Sequence, residues 1–364
     1  MKPPPPDDDR QAPAPAASGR VETRDTPADG ASVSAGDARD RDPRASGGSA
    51  LAARGSAPGS APGSARSARL PLADRESFLA KAFLLPSIVY IVALVGIPFF
   101  MAIAFSFSDI TAGDPSFDWA GLRNYRAIFA DETFWRSLTN TLIFTVISMV
   151  LVVVLGKVLA NILVADFHGK WLVRFAVLLP WTTPVALSTI SWLWLLDSVF
   201  SPIDWVLRKI GYLGPGEDVY WLGKPHLAMA SVIAVHVWRL VPLAAVIVMA
   251  GLVAIPRDIE DAARVDGAGF WRRMFGVTVP LTLPVIAVAG LFGAILTFTD
   301  MAVVYVLTRG GPTNSTQVLA SWAFYKGIQG GDVAQGAAIA LFMFPLLLAA
   351  AIAILRSVRR METL

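Results

Sequence analysis

The sequence contains no cysteine among its 364 residues and only three histidines. Without cysteine the chain has no disulfide, no thiolate nucleophile and no cysteine metal ligand. The histidines, His168, His226 and His236, are not spaced as the ligands of one metal ion. We therefore predict neither a metal site nor a cofactor.

Charged residues are also scarce, at 16% of the chain, whereas hydrophobic residues make up 54%. This balance is typical of a polytopic membrane protein rather than of a soluble domain. The net charge is only +3, and the lysines and arginines form no long basic run. A nucleic-acid partner is therefore not expected.

Large apolar side chains are nearly absent from residues 1–77, which are rich in Pro, Gly, Ala, Ser, Asp and Arg. Such a segment cannot bury enough apolar surface to offset the entropy of ordering it. We expect a disordered cytoplasmic tail, and a partner-binding tail is the alternative. No apolar h-region follows Met1, so a signal peptide is not predicted.

Residues 78–364 are predicted to form an all-α transmembrane domain with six spans. Each apolar run is near or above the roughly 20 residues that a membrane-spanning helix needs. Proline and glycine interrupt several runs, which fits spans that bend around a pathway but is also compatible with packing alone. The predicted spans are 82–108, 138–165, 172–198, 226–253, 283–307 and 334–356.

The distribution of lysine and arginine predicts which loops face the cytoplasm. Thirteen of these residues lie in one set of flanking segments and eight in the other, which is longer in total. The first set is 66–81, 166–174, 256–280 and 354–364, and the second is 109–137, 199–225 and 308–333. Because cytoplasmic loops are enriched in basic residues, we expect both termini and the segment 256–280 to be cytoplasmic.

Residues 256–280, PRDIEDAARVDGAGFWRRMFGVTVP, form a long polar segment between two apolar runs. A plain connection between packed helices needs only about 2–8 residues. The segment is therefore predicted to dock onto another surface. Asp258 is a candidate N-cap, and Asp261 follows three residues later, where a capping box places an acid or amide.

The helix that starts at Asp258 is expected to end at a glycine bend. Gly267 and Gly269 supply the backbone freedom that a helix C-terminus needs. A second short helix is expected from Phe270 to about Gly276. The small residues Ala262, Ala263 and Ala268 keep the bend slim, so that another protein surface can approach closely.

The segment DAARVDGA (261–268), together with VTVPLTLP (277–284), resembles the EAA loop of ATP-binding-cassette importer permeases. The runs VWRLVPLAAVIVMAGLVAIP (237–256) and FTDMAVVYVLTRGGPTNST (298–316) are similar to the carbohydrate-importer branch, which includes maltose and glycerol-3-phosphate permeases. The resemblance covers about residues 78–364. One departure is Asp261, which stands where the family usually has Glu and reaches less far by one methylene.

The resemblance implies a non-catalytic permease subunit of an ATP-driven importer in the bacterial inner membrane, translocating a sugar by alternating access. It also implies a second permease subunit, a dimer of ATPase subunits and an extracytoplasmic solute-binding protein as partners. An importer for a non-sugar solute, such as glycerol phosphate diesters, remains open. The residues that the resemblance assigns to ATPase coupling are Asp258, Asp261, Ala262, Ala263, Asp266, Gly267, Ala268 and Gly269.

The chain itself lacks the phosphate-binding loop that an ATPase needs. No G-x-x-x-x-G-K-[ST] sequence occurs, since the Gly-Lys pairs at 156–157, 169–170 and 223–224 lack the upstream glycine and the following Ser or Thr. ATP hydrolysis is therefore expected in a partner.

Polar side chains inside the predicted spans are candidates for the substrate pathway, because ionisable groups are costly within a bilayer. The candidates are Asn140, Trp192, Arg239, Thr297, Asp300 and Tyr305. At 1.5 Å per residue, Arg239 and Asp300 lie roughly 10 Å apart in depth, so a direct ion pair is an open alternative but not the favoured one. An intramembrane enzyme is the remote alternative. It would need catalytic groups at one depth in the membrane, and this estimate does not place the only plausible set at one depth: His236, Arg239 and Asp300.

Overall fold

The computed structural model describes residues 76–362, so nearly all of the predicted tail at 1–77 lies outside the described residues. Within 76–362 the chain is α-helical, as predicted, and its only β-type pairing is an isolated bridge between Ser108 and Trp119. The α-helices are α1 (Glu76–Ile91), α2 (Ile97–Ser106), α3 (Arg123–Ala130), α4 (Glu132–Val164), α5 (Lys170–Thr182), α6 (Val185–Leu195), α7 (Pro202–Lys209), α8 (Pro225–Val253), α9 (Arg257–Val265), α10 (Phe270–Arg273), α11 (Val279–Phe298), α12 (Ala302–Leu307), α13 (Leu319–Phe324) and α14 (Val333–Glu362). Short π-helical turns occur at Val92–Gly96, Met274–Thr278 and Tyr325–Gln329.

Among the described residues, five continuous helices are long and apolar enough to cross a membrane, and a bent pair raises the number to six. The five are Leu79–Ser106, Glu132–Val164, Pro225–Val253, Phe270–Phe298 and Val333–Ser357. The sixth consists of α5 and α6, which together pass the same test. The fold class predicted from the apolar runs is therefore confirmed.

The predicted span at 172–198 is bent, because α5 and α6 meet at an angle of 96°. Thr183 takes an extended conformation with ψ 137° before Pro184. A proline disfavours helical geometry in the residue before it and cannot donate its own backbone N–H. By contrast, Pro180 lies inside α5 and Pro242 inside α8, so proline alone does not identify the bend.

The fifth predicted span, 283–307, is shifted and interrupted. The helix begins at Phe270 and ends at Phe298, and the short α12 follows only after a break at 299–301. This break places Asp300 outside a regular helix, next to the middle of α8. The break brings the Asp300 side chain to Arg239 of α8, from which a straight helix would separate it.

The main core lies between α4, α8 and α11, where buried residues include Phe144, Val152, Leu240 and Val248. Small residues let these helices approach closely, as is common in membrane bundles. A Cβ atom added to Gly156 of α4 would lie 2.7 Å from the Cβ of Ala244 in α8. The helix backbones are therefore nearly in contact at this point.

Candidate coupling helix and intramembrane polar cluster

Helix α9 begins at Arg257, and its N-cap is Pro256, which makes no side-chain hydrogen bond. The predicted capping box is therefore wrong, since Asp258 is already inside the helix. Asp261 instead accepts a hydrogen bond from Arg264 at 3.0 Å, one turn later. Asp258 still lies in the first turn, where a negative charge is favourable at the positive end of the helix dipole.

The end of α9 is the glycine bend that the sequence predicts. Gly267 has φ +72°, a left-handed conformation that costs glycine little. The Gly267 N–H donates to the Arg264 carbonyl and the Ala268 N–H to the Ala263 carbonyl, both at 3.0 Å. These two bonds form a Schellman motif, which satisfies carbonyls that the helix leaves free. Gly269 does not end α9, because it is extended with ψ 172° and precedes α10.

The expected second helix at 270–276 is not a separate element. α10 passes through the π-helical turn Met274–Thr278 into α11, so that Phe270–Phe298 is one continuous helix. The glycine bend therefore connects α9 directly to a full span.

The α9 surface is open within the described residues. The side chains of Asp258, Asp261, Ala262 and Asp266 are exposed, whereas Ala263 and Ala268 are half-buried. Val265 is 88% exposed although it is apolar. An exposed mixture of acids and small apolar residues is suited to contact with another protein.

The turn between α4 and α5 lies close to the start of α9. A hydrogen bond from Lys170, 2.9 Å long, and the charge of the same ammonium lower the pKa of Asp166, and Arg257 of α9 adds to the effect. The Asp166 carboxylate therefore interacts electrostatically with the first residues of α5 and α9.

Arg239 of α8 and Asp300 form an intramembrane ion pair, with 2.9 Å between Nη2 and Oδ2. The expectation that disfavoured a direct pair is wrong. It treated 283–307 as one straight helix, whereas the helix ends at Phe298. The second carboxylate oxygen of Asp300 accepts the backbone N–H of Val303 at 2.9 Å. Asp300 thus joins α8 to the start of α12.

His236 completes the cluster and was not among the pathway candidates, although it lies one turn from Arg239. It is fully buried, and its Nε2 is 2.9 Å from Oγ1 of Thr297. Thr297 donates its hydroxyl hydrogen to the Gly293 carbonyl at 2.6 Å, so Nε2 of His236 acts as the donor to Thr297. Nδ1 of His236 lies 3.3 Å from Asp300 without the alignment of a hydrogen bond.

The remaining pathway candidates lie elsewhere and have partners of their own. The Asn140 amide donates to the carbonyls of Asn314 and Gln317, both at 3.0 Å. Trp192 packs edge-on against Trp238, with ring centroids 5.4 Å apart. The Tyr305 hydroxyl accepts a hydrogen bond from Gln329 at 2.8 Å. The structure therefore brings together only Arg239, Thr297 and Asp300 of the six candidates.

Comparison with known proteins agrees with this architecture. The family model for the inner membrane component of binding-protein-dependent transport systems matches residues 166–363. The chain is 31% identical to a sulfoquinovosyl glycerol transport system permease of Agrobacterium fabrum, over 80% of this chain and 92% of the relative. It is 31% identical to the trehalose/maltose transport system permease MalF of Thermococcus litoralis, over 78% of this chain and 94% of the relative.

A solved structure has the same fold. It is the crystal structure of a bacterial ABC transporter involved in the import of the acidic polysaccharide alginate, which aligns with a TM-score of 0.68 and 21% identity. The alignment covers 78% of this chain and 96% of that chain. The chain is thus a member of the family of inner membrane components of binding-protein-dependent transport systems, the permeases of ATP-binding-cassette importers.

Proposed function

We propose that this chain is the permease subunit of an ATP-driven importer and translocates a sugar or sugar-like solute by alternating access. The observation that carries the proposal is its similarity, over more than three quarters of the chain, to permeases named for sulfoquinovosyl glycerol and for trehalose and maltose. A permease for glycerol phosphate diesters would use the same coupling loop, but these relatives favour the sugar.

The partners are a second permease subunit, a dimer of ATPase subunits and an extracytoplasmic solute-binding protein. Both termini and the segment 256–280 face the cytoplasm, in line with the enrichment of lysine and arginine in those flanks. Helix α9 docks onto an ATPase subunit through Asp258, Asp261, Ala262, Ala263, Asp266, Gly267, Ala268 and Gly269. The chain acts as a transport subunit, and ATP hydrolysis takes place in the partner.

Closure of the ATPase dimer displaces α9 and, through the glycine bend, the continuous helix Phe270–Phe298. The movement reaches the break at 299–301 and, within it, the ion pair of Asp300 with Arg239. A rigid-body change of this type exchanges an inward-open for an outward-open pathway. The candidate residues of that pathway are those of the polar cluster, Arg239, Thr297 and Asp300, together with Asn140, Trp192 and Tyr305.

The sequence argued against an intramembrane enzyme because His236, Arg239 and Asp300 were expected at different depths in the membrane. The structure brings the three side chains together, so this argument no longer holds. Transport is nevertheless the better-supported function, because the chain aligns with transport permeases over most of its length. Activity of the isolated chain on a lipid or sugar substrate, without partners, would favour the enzyme.

The coupling role is tested with Gly267→Pro in the assembled transporter. Proline cannot adopt φ +72° and cannot donate the N–H that Gly267 gives to Arg264. We expect loss of sugar uptake and of transport-stimulated ATPase activity, with normal insertion into the membrane. Gly276→Ala is the matched control, because an added Cβ there has no atom within 4 Å. Normal uptake by Gly267→Pro would exclude the coupling role.

A further inference from the structure

A cavity of about 220 Å³ lies behind the coupling helix, outside the polar cluster at Asp300. Its walls come from α9, from the first turns of the helix Phe270–Phe298 and from the C-terminal ends of α4 and α8. The apolar wall includes Val164, Leu252 and Val277, which belong to the ends of three spans. The cavity therefore connects the coupling segment with the edge of the membrane-spanning region.

Three polar side chains in the cavity wall have no partner among residues 76–362. The Asn161 amide, the Thr278 hydroxyl and the Arg273 guanidinium make no side-chain hydrogen bond or ion pair there. Arg264 and Glu260 also line the cavity, but they lie 3.9 Å apart and Arg264 is further engaged by Asp261. Arg273 thus provides an uncompensated positive charge beside two groups that can donate hydrogen bonds.

The setting of the cavity is typical of a membrane–water interface. Phe270, which lines it, is 60% exposed, and the exposed rings of Trp271 and Phe275 stack with centroids 6.0 Å apart. Arg272 is exposed between them and has no ion pair among the described residues. Aromatic and basic side chains at the start of a span lie at the level of the lipid headgroups.

We propose that this cavity binds the phosphate group of an anionic phospholipid. Arg273 supplies the charge, and Asn161 and Thr278 donate hydrogen bonds to phosphate oxygens. A lipid is favoured over a free phosphate ester because the apolar wall and the exposed aromatic rings continue into the membrane span. The bound lipid would fasten α9 to the ends of α4 and α8, so that movement of α9 is transmitted rather than lost.

The test uses the complete transporter in nanodiscs of phosphatidylcholine with and without phosphatidylglycerol. Native mass spectrometry measures how tightly phosphatidylglycerol is retained. Arg273→Gln removes one charge near the membrane surface and is expected to weaken that retention about fivefold. Arg273→Lys should keep most of it. Lys170→Gln is the matched control, since Lys170 lies at the start of α5 and pairs with Asp166 at 2.9 Å.

Equal retention of phosphatidylglycerol by the wild type and Arg273→Gln would contradict the proposal that this cavity binds the lipid. Thr278→Val, which preserves shape but removes the donor, provides the same comparison if Arg273→Gln does not assemble. Displacement of the lipid by millimolar inorganic phosphate or glycerol phosphate would identify a soluble anion instead and overturn the assignment to lipid.

The consequence for coupling rests on the proposed function, whereas the lipid binding does not. Gly267→Pro is expected to lose ATPase stimulation while retaining phosphatidylglycerol like the wild type. Loss of lipid retention in Arg273→Gln, together with unimpaired coupling in Gly267→Pro, would uphold the lipid site and contradict the coupling role.

Discussion

Asp300 accepts a hydrogen bond from Arg239 at 2.9 Å, across 61 residues of sequence and inside the membrane-spanning region. The Arg239 side chain is 11% exposed and the Asp300 side chain 5%. The ion pair is therefore shielded from water, and each charge depends on the other for compensation. Since the other carboxylate oxygen of Asp300 accepts the Val303 N–H in the first turn of α12, the pair also links this turn to α8.

Asp300→Ala should be strongly destabilising. It leaves Arg239 without its anion and removes the acceptor from the Val303 N–H. Removal of one partner from a buried pair typically costs about 3–5 kcal/mol. We expect a large fall in Tm in detergent or nanodiscs and loss of uptake, both measured against the wild-type complex.

The double variant Arg239→Met/Asp300→Asn separates the two effects of Asp300→Ala. It removes both charges together and should recover a substantial part of the lost Tm. Equal Tm losses in Asp300→Ala and the double variant would contradict an energetic coupling between the two residues.

Gly156→Val should weaken the contact between α4 and α8. The added Cβ would stand 2.7 Å from the Cβ of Ala244, and valine adds further bulk. Overpacking of this kind costs about 1–3 kcal/mol, which thermal unfolding would detect as a lower Tm. Gly293→Ala is the matched control, because its nearest neighbour is Cγ1 of Val152 at 3.7 Å. A Tm for Gly156→Val equal to that of the control would show that the helices can separate at no cost.

Asp261→Ala should change coupling rather than stability. The pair of Asp261 with Arg264 is exposed, with side chains 63% and 57% accessible, and such pairs contribute less than about 1 kcal/mol. We expect an unchanged Tm together with reduced ATPase stimulation by loaded binding protein. Asp261→Glu restores the acid that the family usually has and should couple normally. Full stimulation in Asp261→Ala would remove this residue from the mechanism.

The N-cap of α4 should make a pH-dependent contribution to stability. Asp131 accepts the Thr133 N–H at 2.8 Å and lies 3.4 Å from Lys326. Burial raises the pKa of Asp131, but the Thr133 hydrogen bonds and the Lys326 charge outweigh burial, so its pKa lies below the ordinary value. The carboxylate therefore stabilises the fold above the unfolded-state pKa of about 3.9, and this contribution is lost as the pH falls through the lower folded-state pKa.

Asp131→Ala should accordingly lower Tm at pH 7 by an amount that corresponds to about 1 kcal/mol for a lost cap. The difference between variant and wild type should shrink as the buffer is made strongly acidic. Asp131→Asn keeps a capping oxygen and should show a smaller loss with little dependence on pH. A difference that grows on acidification would contradict the sign of the pKa shift.

The existence of the spans and of the glycine bend could be predicted because both depend on local chemistry. A long run of apolar residues favours helix in a bilayer, because every backbone polar group there must be satisfied within the protein. Gly267 ends α9 because glycine adopts a positive φ at little cost. The predicted capping box failed for an equally local reason, since the N-cap is Pro256, two residues before Asp258.

The polar cluster of His236, Arg239, Thr297 and Asp300 could not be predicted. The depth of a side chain in the membrane depends on where its helix begins and bends. Pro184 follows a 96° bend, whereas Pro180 and Pro242 lie within continuous helices. The local sequence does not show which of these prolines coincides with a break in its helix. The pairing of Arg239 with Asp300 depends on the break after Phe298 in the same way.

By itself, the sequence determined an all-α membrane protein, its family and the glycine bend after α9, because length, hydropathy and motif are properties of consecutive residues. Only the tertiary structure decided that α10 and α11 form one helix and that Asp300 meets Arg239 and His236. It also placed Arg273, Asn161 and Thr278 around one cavity. These relationships join residues far apart in the chain, and they follow from helix breaks and close packing that hydrophobic periodicity does not encode.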